Sequence, residues 1–175
     1  HLWRIYNLPV LCSGLSALPI RPANMGPIKT FYHKILRSFL KLSNSAPIPA
    51  LHFLLGELPI EAKLHLDFLS VFYNIWNNPD TTIFNIVLYI LQMADQTSVT
   101  WSAHLRTLCL KYRLPDPLQL LQSGQVWKKQ KWTELTRTLV TVHHENELRE
   151  KSKSNSKMKY LNVQIQGLSG IPPPA

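Results

Sequence analysis

Acidic side chains are scarce: 10 Asp and Glu stand against 19 Lys and Arg in 175 residues, for a net charge of +9. Charged residues make up 17% of the chain, below the roughly 25% of soluble domains, and the shortfall is in the acids. That leaves little material for a carboxylate-rich acid-base or hard-metal site. The chain has no Gly-rich phosphate loop, no G-x-S-x-G elbow and no adjacent aspartates to hold two magnesium ions. Only two cysteines occur, Cys12 and Cys109, without a CxxC pair, which argues against a disulfide framework or a zinc ribbon. The expected setting is therefore reducing and intracellular, in nucleus or cytoplasm. The longest apolar stretch, Ile83 to Ala94, is interrupted by Asn85 and Gln92 and falls short of the roughly 20 residues of a spanning helix. It reads as a buried helix, and no membrane partner is expected. The start carries no signal-peptide succession. With His1 in place of Met, the chain reads as an excerpt of something longer.

What the chain does have is apolar material and unevenly placed positive charge. At 45% hydrophobic residues it is one domain's worth of chain. A chain of this length buries roughly 70% of its unfolded surface, enough to fold without metal, disulfide or cofactor. Residues 1–41 hold six Lys or Arg and no acid, residues 42–100 hold one against five, and residues 101–175 hold twelve against five. Two basic ends around an acidic, apolar middle point to polyanionic partners.

Apolar spacing is helical throughout. From Pro27 to Leu42 the stripe is Ile28, Phe31, Tyr32, Ile35, Leu36, Phe39 and Leu40, with Lys29, Lys34, Arg37 and Lys41 off it. Pro47 and Pro49 break the chain. A second helix is expected from Ile60 to Ile75, stopped at Asn77, Asn78 and Pro79, and a third after an Asp80 or Thr81 cap, running to about Ala94. Another runs from about Ser98 to Tyr112, ahead of the stiff Leu-Pro-Asp-Pro turn at 114–117. Leu118 to Leu121 packs back, and after Gly124 a long amphipathic helix carries Trp132, Leu135, Leu139 and Val142 on one stripe. Residues 151–159 are expected to fray and the Pro-rich end to be disordered. The expected fold class is all-α, an irregular single-domain helical bundle over residues 1–162, with 163–175 a disordered tail or truncated linker.

Candidate sites divide into weak catalytic groupings and a basic, aromatic one. Glu57, Glu61 and His65 are spaced by four, but Pro59 interrupts the first interval; His143, His144 and Glu147 lack a third ligand; Cys109 lies five residues from His104 on an apolar helix. No catalytic residue, metal site or cofactor is assigned. The other grouping is Lys128, Lys129 and Lys131 interleaved with Trp127 and Trp132, cations for phosphates and indoles able to stack on bases. The competing reading is that the indoles are core and the lysines solvate the other face.

Five ordered blocks carry a resemblance. Trp3 and the run YNLPVLCSGL at 6–15 resemble the W-x-x-Y-x-L-P-x-L-L-Y-G stretch that follows the palm in reverse transcriptases of non-LTR (LINE-type) retrotransposons. LLGELPIEA at 54–62, with His65, Leu69, Ser70 and Phe72, is similar to that family's L-x-G-x-x-P-I-E-x-x-x-H-x-x-x-L-S-x-F block. Trp101 and KYRLPDPLQLLQ at 111–122 resemble its S-W and K-Y-x-L-P-x-P-x-x-L-L-Q blocks, and KMKYLN at 157–162 its closing L-K-Y-L-N. Two positions depart from the pattern: Ser13 replaces a common tyrosine, and His143-His144 stands where relatives carry Tyr-Trp.

The resemblance implies a thumb and connector fragment of an RNA-directed DNA polymerase polyprotein. The catalytic aspartates and their magnesium would belong to a palm upstream of His1, so this piece by itself is expected to be non-catalytic. Its implied partners are nucleic acid, as RNA template or RNA-DNA hybrid, and the palm and other domains of the polyprotein. Charge placement and family position together nominate Arg4, Lys29, Lys34, Arg37 and Lys41 for duplex phosphates, and Lys128, Lys129, Lys131 and Arg137 as a second patch for template RNA. The alternatives are a non-catalytic docking module, or a degenerate relic without activity.

Overall fold

Proline marks where several helices begin. The computed structural model describes residues 12, 14, 15, 18, 22–93, 100–125, 127–155 and 158. Helix α1 spans Pro22–Phe39 with Pro27 inside it, and α2 spans Ile48–Leu55 with Pro47 at its N-cap and Pro49 in its first turn. The first-turn N–H groups of a helix have no intrahelical acceptor, so proline costs nothing there and its fixed φ favours the turn. Pro47 and Pro49 thus open a helix where a simple break was expected. Gly56, at φ 59°, closes it in the left-handed region that glycine adopts without strain.

Helix α3 spans Ile60–Trp76 behind Pro59 and ends at Asn77, as the Asn-Asn-Pro signal predicted. Helix α4 spans Thr82–Met93; Thr81 Oγ1 accepts from the Phe84 N–H at 3.2 Å. Helix α5 spans Trp101–Lys111, capped by Thr100, which accepts from the Ala103 N–H. The short α6, Pro117–Gln122, is capped by Asp116, whose carboxylate accepts from the N–H groups of Leu118 (2.9 Å) and Gln119 (3.1 Å). Helix α7 spans Lys129–Lys153, so Lys151 to Lys153 are helical where fraying was expected, and Ser152 is buried. Among the described residues every regular element is helical, which is the expected all-α class. No helix there is long and apolar enough to cross a membrane. The expected tail at 163–175 lies outside the described residues.

Helix α3 is the hub, packed against α7, α1 and α4, while α2 fills between α1 and α7, and α6 joins α4 to α5. One apolar cluster gathers Leu69, Phe72 and Trp76 of α3 with Leu91, Leu105, Leu121 and Trp132. The second gathers Tyr32 and Leu36 of α1, Leu51 of α2 and Ile60 and Leu64 of α3. Across helices, Lys29 of α1 and Lys111 of α5 both pair with the carboxylate of Glu61 on α3. Arg106 donates to the Leu91 carbonyl at 2.5 Å, placing a cation at the C-terminal end of α4, where the helix dipole favours one.

Three faces differ from their expected orientation. On α1, Phe31 and Phe39 are 53% and 54% exposed, and the buried residues are Met25, Tyr32, His33 and Leu36. On α7 the buried line is Trp132, Thr136, Val140, His144, Leu148 and Ser152, one residue every four, and Val142 faces solvent. The small Thr136 and Ser152 let that ridge sit close against its neighbours. On α4 only Phe84, Val87 and Leu91 are buried, so this is not the buried helix expected; Ile83, Ile86, Tyr89, Ile90 and Met93 form an outward apolar stripe.

Candidate nucleic-acid interface and a buried histidine network

The nine nominated cations separate by what already holds them. Arg4 lies outside the described residues. Lys29 is paired with Glu61. Arg37 donates from Nε (3.3 Å) and Nη2 (2.9 Å) to the Ala46 carbonyl, tying the end of α1 to the following loop. These two side chains serve the fold. Lys34 and Lys41 are exposed, and Lys41, at φ 52°, terminates α1 in the left-handed region. Lys128, Lys129, Lys131 and Arg137 are also exposed, on the first turns of α7. Among the described residues, no carboxylate pairs with Lys34, Lys41, Lys128, Lys129, Lys131 or Arg137. The free cations form two groups, on α1 and α7, helices that are each packed on α3.

Helix α7 starts against the usual electrostatic preference. Its N-cap is Lys128, no side chain caps it, and its first turn has no acid. The end of the helix that carries partial positive charge is ringed by ammonium groups, which leaves its first N–H groups and three lysines for an external anion.

The indoles are not part of this surface. Trp132 is 2% exposed and donates its Nε1–H to the Leu69 carbonyl at 3.2 Å. Trp127 is half-buried against Trp76 and Trp132, with ring centroids at 5.9 and 6.3 Å. Trp132 is core and Trp127 packs against the core, so for Trp132 base stacking gives way to the core reading. Lys131 lies over the outer face of Trp127, 4.5 Å from its centroid.

The nominated metal and nucleophile groupings resolve into other contacts. Glu57 pairs with Lys63 at 2.6 Å, Glu61 with Lys29 and Lys111, and His65 turns to Tyr112. The His104 ring packs edge-on against Phe68 at 4.8 Å. Burial pushes the Cys109 thiol up to about 12, so it stays a protonated, inert core group.

Sequence reasoning missed a buried polar chain. Glu147 accepts from His144 Nδ1–H at 3.0 Å; His144 Nε2 therefore holds a lone pair and accepts the Tyr112 O–H at 2.8 Å. The Tyr112 oxygen in turn accepts from His65 Nδ1–H at 2.5 Å. A second pair lies between α1 and α2, where His52 Nδ1–H donates to the Glu57 carbonyl at 3.0 Å, and its Nε2 accepts from His33 Nε2–H at 3.3 Å. Burial drives His65 down to about 3, and His33 and His144 to about 4, with nearby cationic side chains adding to the effect. All three are neutral near pH 7. Burial alone would raise the Glu61 carboxyl, but the Lys29 hydrogen bond and the Lys111 charge outweigh it and hold it at about 2.

Neither protein-family models, nor curated proteins, nor solved structures provide a match to this chain, so its function rests on its own chemistry and on the block resemblance.

Proposed function

We propose that the chain is a helical thumb and connector segment of a non-LTR retrotransposon reverse transcriptase, which holds template-primer nucleic acid by its phosphates and makes no bonds itself. The observation that carries this reading is the division of charge. Glu57 and Glu61 are consumed by Lys63, Lys29 and Lys111, while Lys34, Lys41, Lys128, Lys129, Lys131 and Arg137 stand in solvent and, among the described residues, meet no carboxylate. Such cations bind a polyanion by releasing its condensed counterions. Two of the quoted blocks also meet in space: Glu61 with Lys111 at 3.3 Å, and His65 with Tyr112 at 2.5 Å. Blocks some 50 residues apart thus form one structural unit, as parts of one domain should. Bond-making and its magnesium would reside in the palm.

Replacing Lys128, Lys129 and Lys131 together by Gln is expected to weaken binding to an RNA-DNA hybrid by about tenfold or more near 0.1 M salt, equally for all sequences. Lys153→Gln, at a residue already paired with Glu150, should leave binding unchanged. A triple variant that binds as tightly as the parent would remove the α7 patch from the proposal.

A second reading, a docking module of the polyprotein, is favoured by the α4 stripe of Ile83, Ile86, Tyr89, Ile90 and Met93. An uninterrupted apolar helix face of this kind is typical of a covered surface. Under this reading, Ile86→Lys with Met93→Lys abolishes association with the adjoining palm segment and changes stability by only about 0.5 kcal/mol. Association that survives the double change would count against it.

A further inference from the structure

A cavity of about 550 Å³ opens where α1, α2, α3 and the C-terminal half of α7 meet, within the usual range of ligand pockets, about 300–1,000 Å³. Its ionic lining is balanced: Lys29 and Lys151 face Glu61 and Glu147. That balance suits a neutral polar ligand and disfavours a multiply charged phosphate, which would call for surplus cations. Three of its walls are imidazoles, His33, His52 and His144, whose tautomers the surrounding acceptors settle. A backbone carbonyl and a carboxylate can only accept, so His52 and His144 carry their protons on Nδ1. His52 Nε2 then takes the His33 Nε2 proton, and His33 Nδ1 keeps a lone pair. The Nε2 lone pairs of His52 and His144 are taken by His33 and Tyr112, so the acceptors left to the cavity are His33 Nδ1 and the carboxylates, with Lys151 as an ammonium donor. The rest of the lining joins the apolar side chains of Ile48, Pro49, Pro59, Ile60 and Leu148 to the polar Ser154 and Asn155.

Apolar side chains interspersed with hydrogen-bonding groups, neutral overall, suit a heterocycle with donors and acceptors around its rim. Resting on the phosphate-holding reading above, we propose that this cavity takes one unpaired nucleobase, presented either by a nucleotide displaced from the bound strand or by a free nucleoside. The free cations of α1 and α7 would hold the backbone and the cavity the extruded base, a division of labour in which phosphates position and a base edge is read.

The test uses the whole chain and three otherwise identical RNA-DNA hybrids: fully paired, with a one-nucleotide bulge, and with an abasic residue at the bulge. The bulged hybrid is expected to bind about tenfold more tightly than the other two, the range for placing one base on a protein surface. Two plugs address the cavity from different elements, Ile48→Trp on α2 and Ser154→Trp at the end of α7. Each should abolish the preference and leave binding to the paired hybrid intact. Saturable binding of free nucleosides, lost in both plugged variants, would identify the free molecule as the source; bulge preference without it identifies the strand. Equal affinity for bulged and abasic hybrids without saturable nucleoside binding, or a preference that survives both plugs, overturns the proposal. If no hybrid binds at all, the phosphate-holding reading fails first, and nucleoside titration then decides alone: absence of saturable binding overturns the cavity assignment as well.

Discussion

Trp132→Ala is expected to lower the unfolding free energy by about 3–5 kcal/mol, read as a drop in the urea midpoint at unchanged slope. The side chain is 2% exposed. Its ring packs against Phe72, Tyr73, Trp76 and Trp127, with centroids 5.6 to 6.5 Å away, and its N–H is spent on the Leu69 carbonyl. Removing it empties the interface between α3 and α7, the main seam of the fold. The same experiment separates two roles for the indole. A loss below about 1 kcal/mol, accompanied by weaker nucleic-acid binding, would mean that Trp132 serves as a base-stacking platform after all.

Acid is expected to unfold the chain with a midpoint near pH 5. His65, His33 and His144 ordinarily titrate near 6.5, but in the fold they are held at about 3, 4 and 4, chiefly by burial. Below 6.5 the unfolded chain takes up protons that the native chain refuses. Stability is therefore fully present above pH 6.5 and is lost as the pH falls from there towards about 4. Each histidine costs about 1.4 kcal/mol per pH unit in that window, so three together cost about 4 kcal/mol per unit. A stability of about 5–15 kcal/mol is exhausted quickly at that rate. Glu61, held at about 2 against an ordinary 4.5, adds a further loss between pH 4.5 and 2. Circular dichroism followed from pH 8 to 4 checks this; a native signal and constant melting temperature down to pH 4 would show that these imidazoles are not buried in neutral form.

How much of this was legible in the sequence varied with the kind of signal. Helices α3 to α5 follow from apolar spacing bounded by Asn77, Thr81 and the Leu-Pro-Asp-Pro turn, since caps and stops are local chemistry, whereas the caps Thr100 and Asp116 and the helical form of α6 emerge only in the fold. Helix α2 was hidden because Pro47 and Pro49 look alike whether they end one helix or begin another, and only the apolar run from Leu51 to Leu55 tells the two apart. The faces of α1, α4 and α7 were misassigned because apolar spacing picks the greasiest face. The fold instead buries Thr136, His144 and Ser152 on α7 and leaves Phe31, Ile86 and Val142 outside. A polar residue on a packed ridge is acceptable once its partners are supplied, and those of His144 come partly from Tyr112, 32 residues away at the C-terminal cap of α5. No window of sequence contains that information. The basic site was half legible: signs of charge are visible in a string, but which lysines are already neutralised is not, and Glu61 claims Lys29 from far along the chain.

The central claim is that unpaired cations on α1 and α7 hold nucleic-acid phosphates, and salt dependence tests it most directly. Binding of the chain to an RNA-DNA hybrid should weaken linearly on a log-log plot against salt, by about 0.9 in log affinity per log salt for each phosphate met. If Lys34, Lys41, Lys128, Lys129, Lys131 and Arg137 all make contact, the total slope is about 5, and the Lys128, Lys129 and Lys131 triple change to Gln cuts it by about half. A flat response to salt, or no binding at about 50 mM salt, would contradict the claim.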